Sequence, residues 1–249
     1  KIYRKRIQIA PVGFEVDRVV IPAIKEKAEK VYLMVHKDRS KDKATKYAAA
    51  IQRKLKAANI ETELVYCDWE NIEEITRVAR DLILQESSNE VAINLASGSK
   101  NHAIGLDRAC MTFRKRKHIH PFYPEAEKWT AWRYPKQQST GVKKIRQIPI
   151  HRIIVPEPEL VIALKAIKQD AVDIPMHKGR KGVKKKDLAK SLFGNSDKVS
   201  LTKLQRNITQ KLEKTWRAIE IIQVGQSDWI SLTDEGKYLR YVLKNEETY

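Results

Sequence analysis

The sequence predicts an α/β chain: a Rossmann-like, mostly parallel sheet with antiparallel edge strands, followed by a winged helix-turn-helix. Three observations predict it. Up to about residue 115, short apolar runs alternate with longer stretches of helical periodicity, the grammar of parallel strands joined by crossover helices. The next segment turns to short, Pro-interrupted, aromatic-rich runs. Past Pro156-Glu157-Pro158-Glu159 the order becomes helix, short helix, turn, long helix, hairpin, helix. That Pro-rich punctuation divides the chain into 1–155 and 156–249.

Taken in order, Arg6 to Val12 reads as a strand, broken by Gly13. A helix follows with Val16, Val19, Val20, Ala23 and Ile24 on its apolar side; Pro22 should start or kink it. Val31–Val35 is a continuous apolar run, as in a strand buried on both faces. Residues 41–58 form a helix, 61–66 a strand and 71–85 a helix with Ile72, Ile75, Val78, Ala79, Leu82 and Ile83 at helical spacing. Val91, Ile93 and Leu95 begin a fourth strand, and Ala103 to Cys110 a fourth helix. Between Lys117 and Ile154, HIHPFYPE, KWTAWRYP and QIPIHRIIV read as short edge strands that close the sheet or pack a dimer, with Lys136–Gly141 a polar loop. Trp129 and Trp132 fit such an edge or dimer contact better than a platform for bases. Beyond the boundary come a helix over 160–167, a basic loop over 173–186, a short helix over 186–193 and a long helix over 200–218. A hairpin turning at Gly225–Asp228 and a final helix complete the chain, with Trp216 and Trp229 expected in the core.

The 249 residues carry 49 Lys and Arg against 31 Asp and Glu, net +18 with a pI of about 9.8. So basic a chain favours a polyanionic partner. No apolar run approaches the ~18 residues of a spanning helix, and the basic start KIYRKRIQIAPVG has no signal-peptide apolar region. Its first residue is Lys, as in a trimmed chain. Cys67 and Cys110, the only cysteines, form no CxxC or His/Cys cluster. Structural zinc and a disulfide framework are therefore not expected, and a reducing cytoplasm is.

The stretch Val91–Cys110, VAINLASGSKNHAIGLDRAC, carries the chemistry. A strand running through a hydroxyl-rich turn into a helix aims backbone N–H groups at one spot, which suits phosphate. Ser97 and Ser99 add hydroxyls, Gly98 close approach and Lys100 a cation. An ordinary capped turn has the same outline. What separates the two is position: ligands of open α/β sheets bind outside the carboxyl ends of the strands, where Gly13-Phe14-Glu15 also falls. In the C-terminal part, the second helix of the helix-turn-helix should enter the major groove. It offers Thr202, Lys203, Gln205, Arg206, Asn207, Gln210, Lys211 and Lys214, with Lys178, Arg180, Lys181, Lys184, Lys185 and Lys186 as phosphate contacts. Lys203 and Arg206 can read guanine, Asn207 and Gln210 adenine.

IAPVGFEVDR after the first strand and NLASGSK after the fourth resemble the motifs of CARF (CRISPR-associated Rossmann fold) domains, the second being similar to their S/T-G-[ST]-K signature. The LTDEG near the chain end resembles the L-T-x-x-G close of winged helices. In layout the whole chain resembles the CARF–winged-helix transcriptional regulators. The resemblance implies a homodimer whose two CARF domains form one pocket for a cyclic oligoadenylate, lined by Gly13, Phe14, Glu15, Ser97, Gly98, Ser99 and Lys100. Asn101 and His102 extend the second motif. Double-stranded DNA would be the other partner, with no catalytic residue, metal or cofactor required.

Enzymatic alternatives are weaker. Some CARF proteins cleave their ligand, which Ser99 or Lys100 would have to assist. Arg146–His151 and Arg114–His120 have the Arg-x(4–6)-His spacing of HEPN ribonucleases, but neither lies in a helical pattern. GxGxxG and GxxxxGK loops are both absent, against a dehydrogenase or a P-loop enzyme. The run Arg114–His118 is as well explained by a solvated helix end as by a phosphate contact.

Overall fold

The computed structural model describes residues 3–113, 117–131, 133, 136–150 and 155–244. They form two compact units, one up to residue 150 and one from Val155 onward. Arg114-Lys115-Arg116, Trp132, Tyr134 and His151–Ile154, all named above, lie outside the described residues.

In the first unit the strands are β1 (Arg6–Pro11), β2 (Lys30–His36), β3 (Glu61–Cys67), β4 (Glu90–Asn94), β5 (Ile119–Trp129) and β6 (Ser139–Gln147). The helices are α1 (Asp17–Lys25), α2 (Thr45–Ala57), α3 (Ile72–Gln85) and α4 (Lys100–Met111). The sheet order is β3-β2-β1-β4-β5-β6, parallel except for the antiparallel β6. β1 and β2 bury nearly every residue, because helices cover both faces. One core packs Ile7, Ile9, Tyr32 and Val91 against α3 and α4; the other packs Val31, Leu33 and Val35 against α1 and α2. Cys67 and Cys110 are fully buried, and burial pushes both thiols up, Cys67 to about 12.

Three expectations are corrected. Pro22 does not start α1; it lies inside it. Proline removes the donor that the carbonyl four residues back requires, and the Asn94 amide supplies it, donating to Arg18 O at 2.8 Å. The Pro-interrupted segment after Lys117 is not several short strands. β5 runs unbroken through Pro121 and Pro124 and pairs in parallel with β4 as far as Phe122. Pro124 falls beyond that last pair, where only β6 runs beside it, so its missing N–H disrupts no ladder on the β4 side. Part of the polar loop at 136–141 is strand, because β6 is a sheet edge whose charged residues Lys143, Lys144 and Arg146 face solvent.

The second unit contains α5 (Pro158–Gln169), β7 (Val172–Asp173), β8 (Lys181–Lys184), α6 (Lys185–Phe193), α7 (Lys198–Leu204), β9 (Ile219–Val224), β10 (Ser227–Leu232) and α8 (Asp234–Val242). Two π-helical turns, Gln205–Thr209 and Lys211–Thr215, extend α7 into one rod. Its inner side, Leu204, Ile208 and Leu212, joins Leu160, Leu164, Leu188 and Ile230 in the core. Trp229 is buried and Trp216 packs half-buried against that core. Gly194 ends α6 at φ +79°, the left-handed cap that glycine takes without a Cβ clash. Asp197 then caps α7 by accepting from Ser200 N at 2.7 Å. The expected basic loop at 173–186 is partly sheet: β7 and β8 extend the hairpin in the order β7-β8-β10-β9. In β8 only Gly182 and Val183 turn inward, too short an apolar signal to read as a strand.

Candidate functional site

β1 and β4 are neighbours, but the chain leaves them for helices on opposite faces of the sheet. Their carboxyl ends therefore open a crevice at the switch point of the strand order. The two loops singled out in the sequence meet there. A Cβ on Gly13 would stand 2.8 Å from Gly98 N, so the two backbones touch. Gly98 sits at φ +83°, and a Cβ on it would stand 2.7 Å from Pro11 Cβ and 2.9 Å from His102 Nδ1. Only glycine fits both places.

The other residues divide into rim and floor. Gly98, Ser99 and Lys100 are exposed, and Lys100 makes no ion pair among the described residues. Phe14 rests on Tyr47, ring centroids 5.5 Å apart, and packs against the α1–α2 core. The Glu15 carboxylate is buried, gripped by Arg18 Nη1 at 3.0 and 3.2 Å and by the Ser139 hydroxyl. It thus presents no free negative charge to the crevice. Asn101 donates its amide to Trp69 O at 2.9 Å.

Sequence reading missed Asn94, Gln137 and Trp69. Asn94 Oδ1 accepts from Ala96 N at 3.0 Å and Ser97 N at 3.4 Å, setting the turn while its amide holds α1. An asparagine directly after the apolar run Val91-Ala92-Ile93, ahead of the Ser-Gly-Ser turn, was the available signal. Gln137 Oε1 accepts from Val16 N at 3.0 Å and Asp17 N at 3.1 Å. It plugs the N terminus of α1, where a dinucleotide-binding domain would seat its pyrophosphate. The N terminus of α4 remains open: the N–H groups of Lys100 and Asn101 have no acceptor among the described residues. The Ser97 hydroxyl, 1% exposed, also lacks a partner.

His102 fixes this turn. Ser99 N donates to His102 Nδ1 at 3.1 Å, while His102 N donates to Ser99 Oγ at 3.3 Å, a capping box with imidazole in the usual Glu/Gln place. Accepting at Nδ1 requires the neutral ring protonated at Nε2. Burial first, and then nearby His36, push His102 down to about 4. An unfolded histidine titrates near 6.5, so between those values the unfolded chain binds the extra proton. The stabilisation is complete above about pH 6.5 and is lost as pH falls toward 4, amounting to about 3 kcal/mol. His102→Gln keeps the cap without the titration. Its thermal midpoint should fall less than wild type between pH 7 and pH 4; parallel curves would refute this role.

In the second unit, Thr202, Lys203, Gln205, Arg206, Asn207, Gln210 and Lys211 are all exposed on the rod, away from Leu204, Ile208 and Leu212. Several are engaged. Lys203 Nζ lies 4.9 Å from the Phe193 ring, Thr202 Oγ1 donates to Lys198 O, and Lys211 pairs with Glu157 at 3.5 Å. Lys185 joins Gln205 at 3.2 Å and Asp228 at 3.5 Å, and Lys184 lies over Trp229. Of the side chains named from the sequence, Lys178, Lys186, Arg206, Asn207, Gln210 and Lys214 have no partner among the described residues and are free to meet a ligand. Arg180 and Lys181, expected beside them, instead line a cavity whose walls include no rod residue. Among the described residues no His, Cys, Asp or Glu group could hold a metal, and no helix is long and apolar enough to cross a membrane.

A Rossmann-like unit with an open helix N terminus at its switch point, followed by a winged helix, defines a two-domain α/β–winged-helix protein. Residues 6–129 match the HFX_2341_N-like N-terminal family model and residues 161–244 that of the DUF6293 C-terminal winged helix domain, so each unit is similar to one of these families. A Methanocaldococcus jannaschii relative, the uncharacterized protein MJ1513, is 27% identical over 188 residues, 66% of this chain and 56% of its own. The chain thus spans little more than half of that relative's length. Among solved structures, Can2 from Sulfobacillus thermosulfidooxidans, in complex with cyclic tetra-adenylate, overlaps with a TM-score of 0.43 at 9% identity, covering 93% of this chain and 77% of that one. Enterococcus italicus Csm6, bound to cyclic hexa-2'-fluoro-hexa-dAMP, overlaps with a TM-score of 0.39 at 12% identity, covering 52% and 36%.

Proposed function

We propose that the protein is a DNA-binding regulator that responds to an anionic ligand at the β1–β4 crevice. The observation that carries this reading is the α4 N terminus. Two free N–H groups, the exposed Ser99 and Lys100 and the unpartnered Ser97 hydroxyl gather where an open α/β sheet binds its ligand. The resemblance of IAPVGFEVDR and NLASGSK to CARF motifs supports a cyclic oligoadenylate as the ligand and a cleft shared by two copies as its setting. The exposed rod, with Arg206, Asn207 and Gln210 unengaged, supports major-groove reading by the winged helix. Regulation requires that the ligand bind two arrangements of the dimer with different affinity.

A mobility-shift assay on the protein's own upstream DNA, at fixed salt, with and without cyclic oligoadenylates, tests this. Salt-sensitive DNA binding that changes with ligand is expected; absence of any DNA binding sinks the reading. Ser99→Ala with Lys100→Ala should weaken ligand binding about 10–100-fold, the worth of one or two hydrogen bonds to a charged group, and leave ligand-free DNA affinity unchanged. Ligand cleavage is a second reading. Ser99 Oγ lies 2.9 Å from His102 Nδ1, as a nucleophile would lie from its base. An imidazole held near 4 is a weak base at neutral pH, so intact ligand is expected after incubation.

A further inference from the structure

The winged-helix unit holds a cavity of its own, about 730 Å³, between the end of α5, the start of β8, the base of the β9–β10 hairpin and α8. Ile167 and Leu232 supply its apolar wall. Five cations line it. Arg180 is paired with Glu220 at 3.0 Å and Lys237 with Asp234 at 2.8 Å. Lys168, Lys181 and Arg240 have no partner among the described residues, and the Arg240 Nε is buried without an acceptor. Against these three stands one unpaired carboxylate, Glu235. A guanidinium N–H out of reach of water and protein acceptors is a standing demand for one. A planar fork in the same cavity as two ammonium groups suits an oxyanion, and a volume of several hundred Å³ suits a small molecule.

We propose that this cavity binds a small organic anion, with its phosphate or carboxylate on Arg240, Lys168 and Lys181 and its apolar body against Ile167 and Leu232. The site is separate from the β1–β4 crevice and does not depend on how that crevice is read. It is also separate from the rod, none of whose residues line it.

The test uses the full chain carrying Ser99→Ala and Lys100→Ala, so that the crevice does not compete, and phenyl phosphate as probe. Calorimetry should show saturable binding, tighter than that of inorganic phosphate because the ring adds apolar contact. Arg240→Gln should weaken it at least 10-fold. Lys168→Gln, at an exposed position where folding is not at risk, should weaken it several-fold. Benzoate in place of phenyl phosphate shows which oxyanion is preferred; binding of either supports the site. Failure of both to saturate, or affinity indifferent to both substitutions, overturns the proposal. So does a loss of DNA affinity and of its salt dependence in the same two variants, since the cations would then be contacting the DNA backbone.

Discussion

Replacing Glu15 by alanine is expected to destabilise the Rossmann-like unit by about 3–5 kcal/mol, the cost of removing one partner from a buried ion pair. The side chains of Arg18 and Glu15 are only 2% and 6% exposed. Arg18 also donates through Nε to Pro124 O at 2.8 Å, and its guanidinium lies 5.0 Å from the Tyr123 ring and 5.2 Å from that of Trp129. Those contacts steady the cation but do not neutralise it, and Nη2 already lacks an acceptor. The alanine would also strip the Ser139 hydroxyl of its acceptor. Adding Arg18→Met should recover much of the loss, because the second substitution removes the stranded charge. Urea midpoints of the single and double variants decide the matter; a double variant as unstable as the sum of both single losses would show that the charge pairing is not what holds this corner. A loss of ligand affinity should accompany Glu15→Ala although its carboxylate faces Arg18 and Ser139. The loop it anchors carries Gly13, whose backbone touches Gly98.

The alternation of strands and helices was legible because β1 and β2 are buried on both faces, which leaves an uninterrupted apolar run. The helices showed because each has one buried stripe, such as Ile75, Ala79, Leu82 and Ile83 in α3. What escaped was structure held by partners distant in sequence. Pro22 looks like a helix breaker until Asn94, 72 positions later in the numbering, supplies the donor proline lacks. The start of β6, Ser139 to Gly141, looks like the end of a polar loop because this strand is a sheet edge. β8 looks like part of a basic loop because two inward residues carry no periodicity.

At the candidate site the sequence placed the residues but not their tasks. Gly98 was read as letting a ligand come close and Gly13 as ending the first strand; the fold brings their two backbones into contact. Glu15 and Phe14 were read as lining and prove to be floor, one consumed by an ion pair and the other by an aromatic contact. His102 was read as an extension of the motif and is the N3 partner of the Ser99 cap, which shapes the turn. A tertiary hydrogen bond such as Gln137 to the α1 N terminus, spanning 121 positions, leaves no local trace, yet it decides which helix end stays open to a ligand.

The winged helix rests on an equally unforgiving contact, and Gly236→Ala is expected to destabilise it by at least the ~3 kcal/mol at the upper end of ordinary overpacking. A Cβ at Gly236 would stand 1.9 Å from Ala218 O and 2.9 Å from Ala218 C. Both are backbone atoms, so no side chain can rotate away. The carbonyl cannot retreat freely either, since it accepts Thr233 N at 3.1 Å. Thr233 in turn caps α8 through Gly236 N at 3.1 Å and donates its hydroxyl to Arg217 O. The Leu-Thr-x-x-Gly ending therefore encodes one object. Thr233 stitches the close of the rod to the start of α8, and Gly236 lets the two backbones touch. Alanine forces either α8 off the core formed with α5 or the chain apart at Ala218, where the rod turns into β9. Hydrogen exchange resolved by segment should show protection falling across α6, the rod and α8 while β1 to β4 keep theirs. Unchanged protection in the rod would mean that α8 can shift at little cost and that the glycine is not required for the fold.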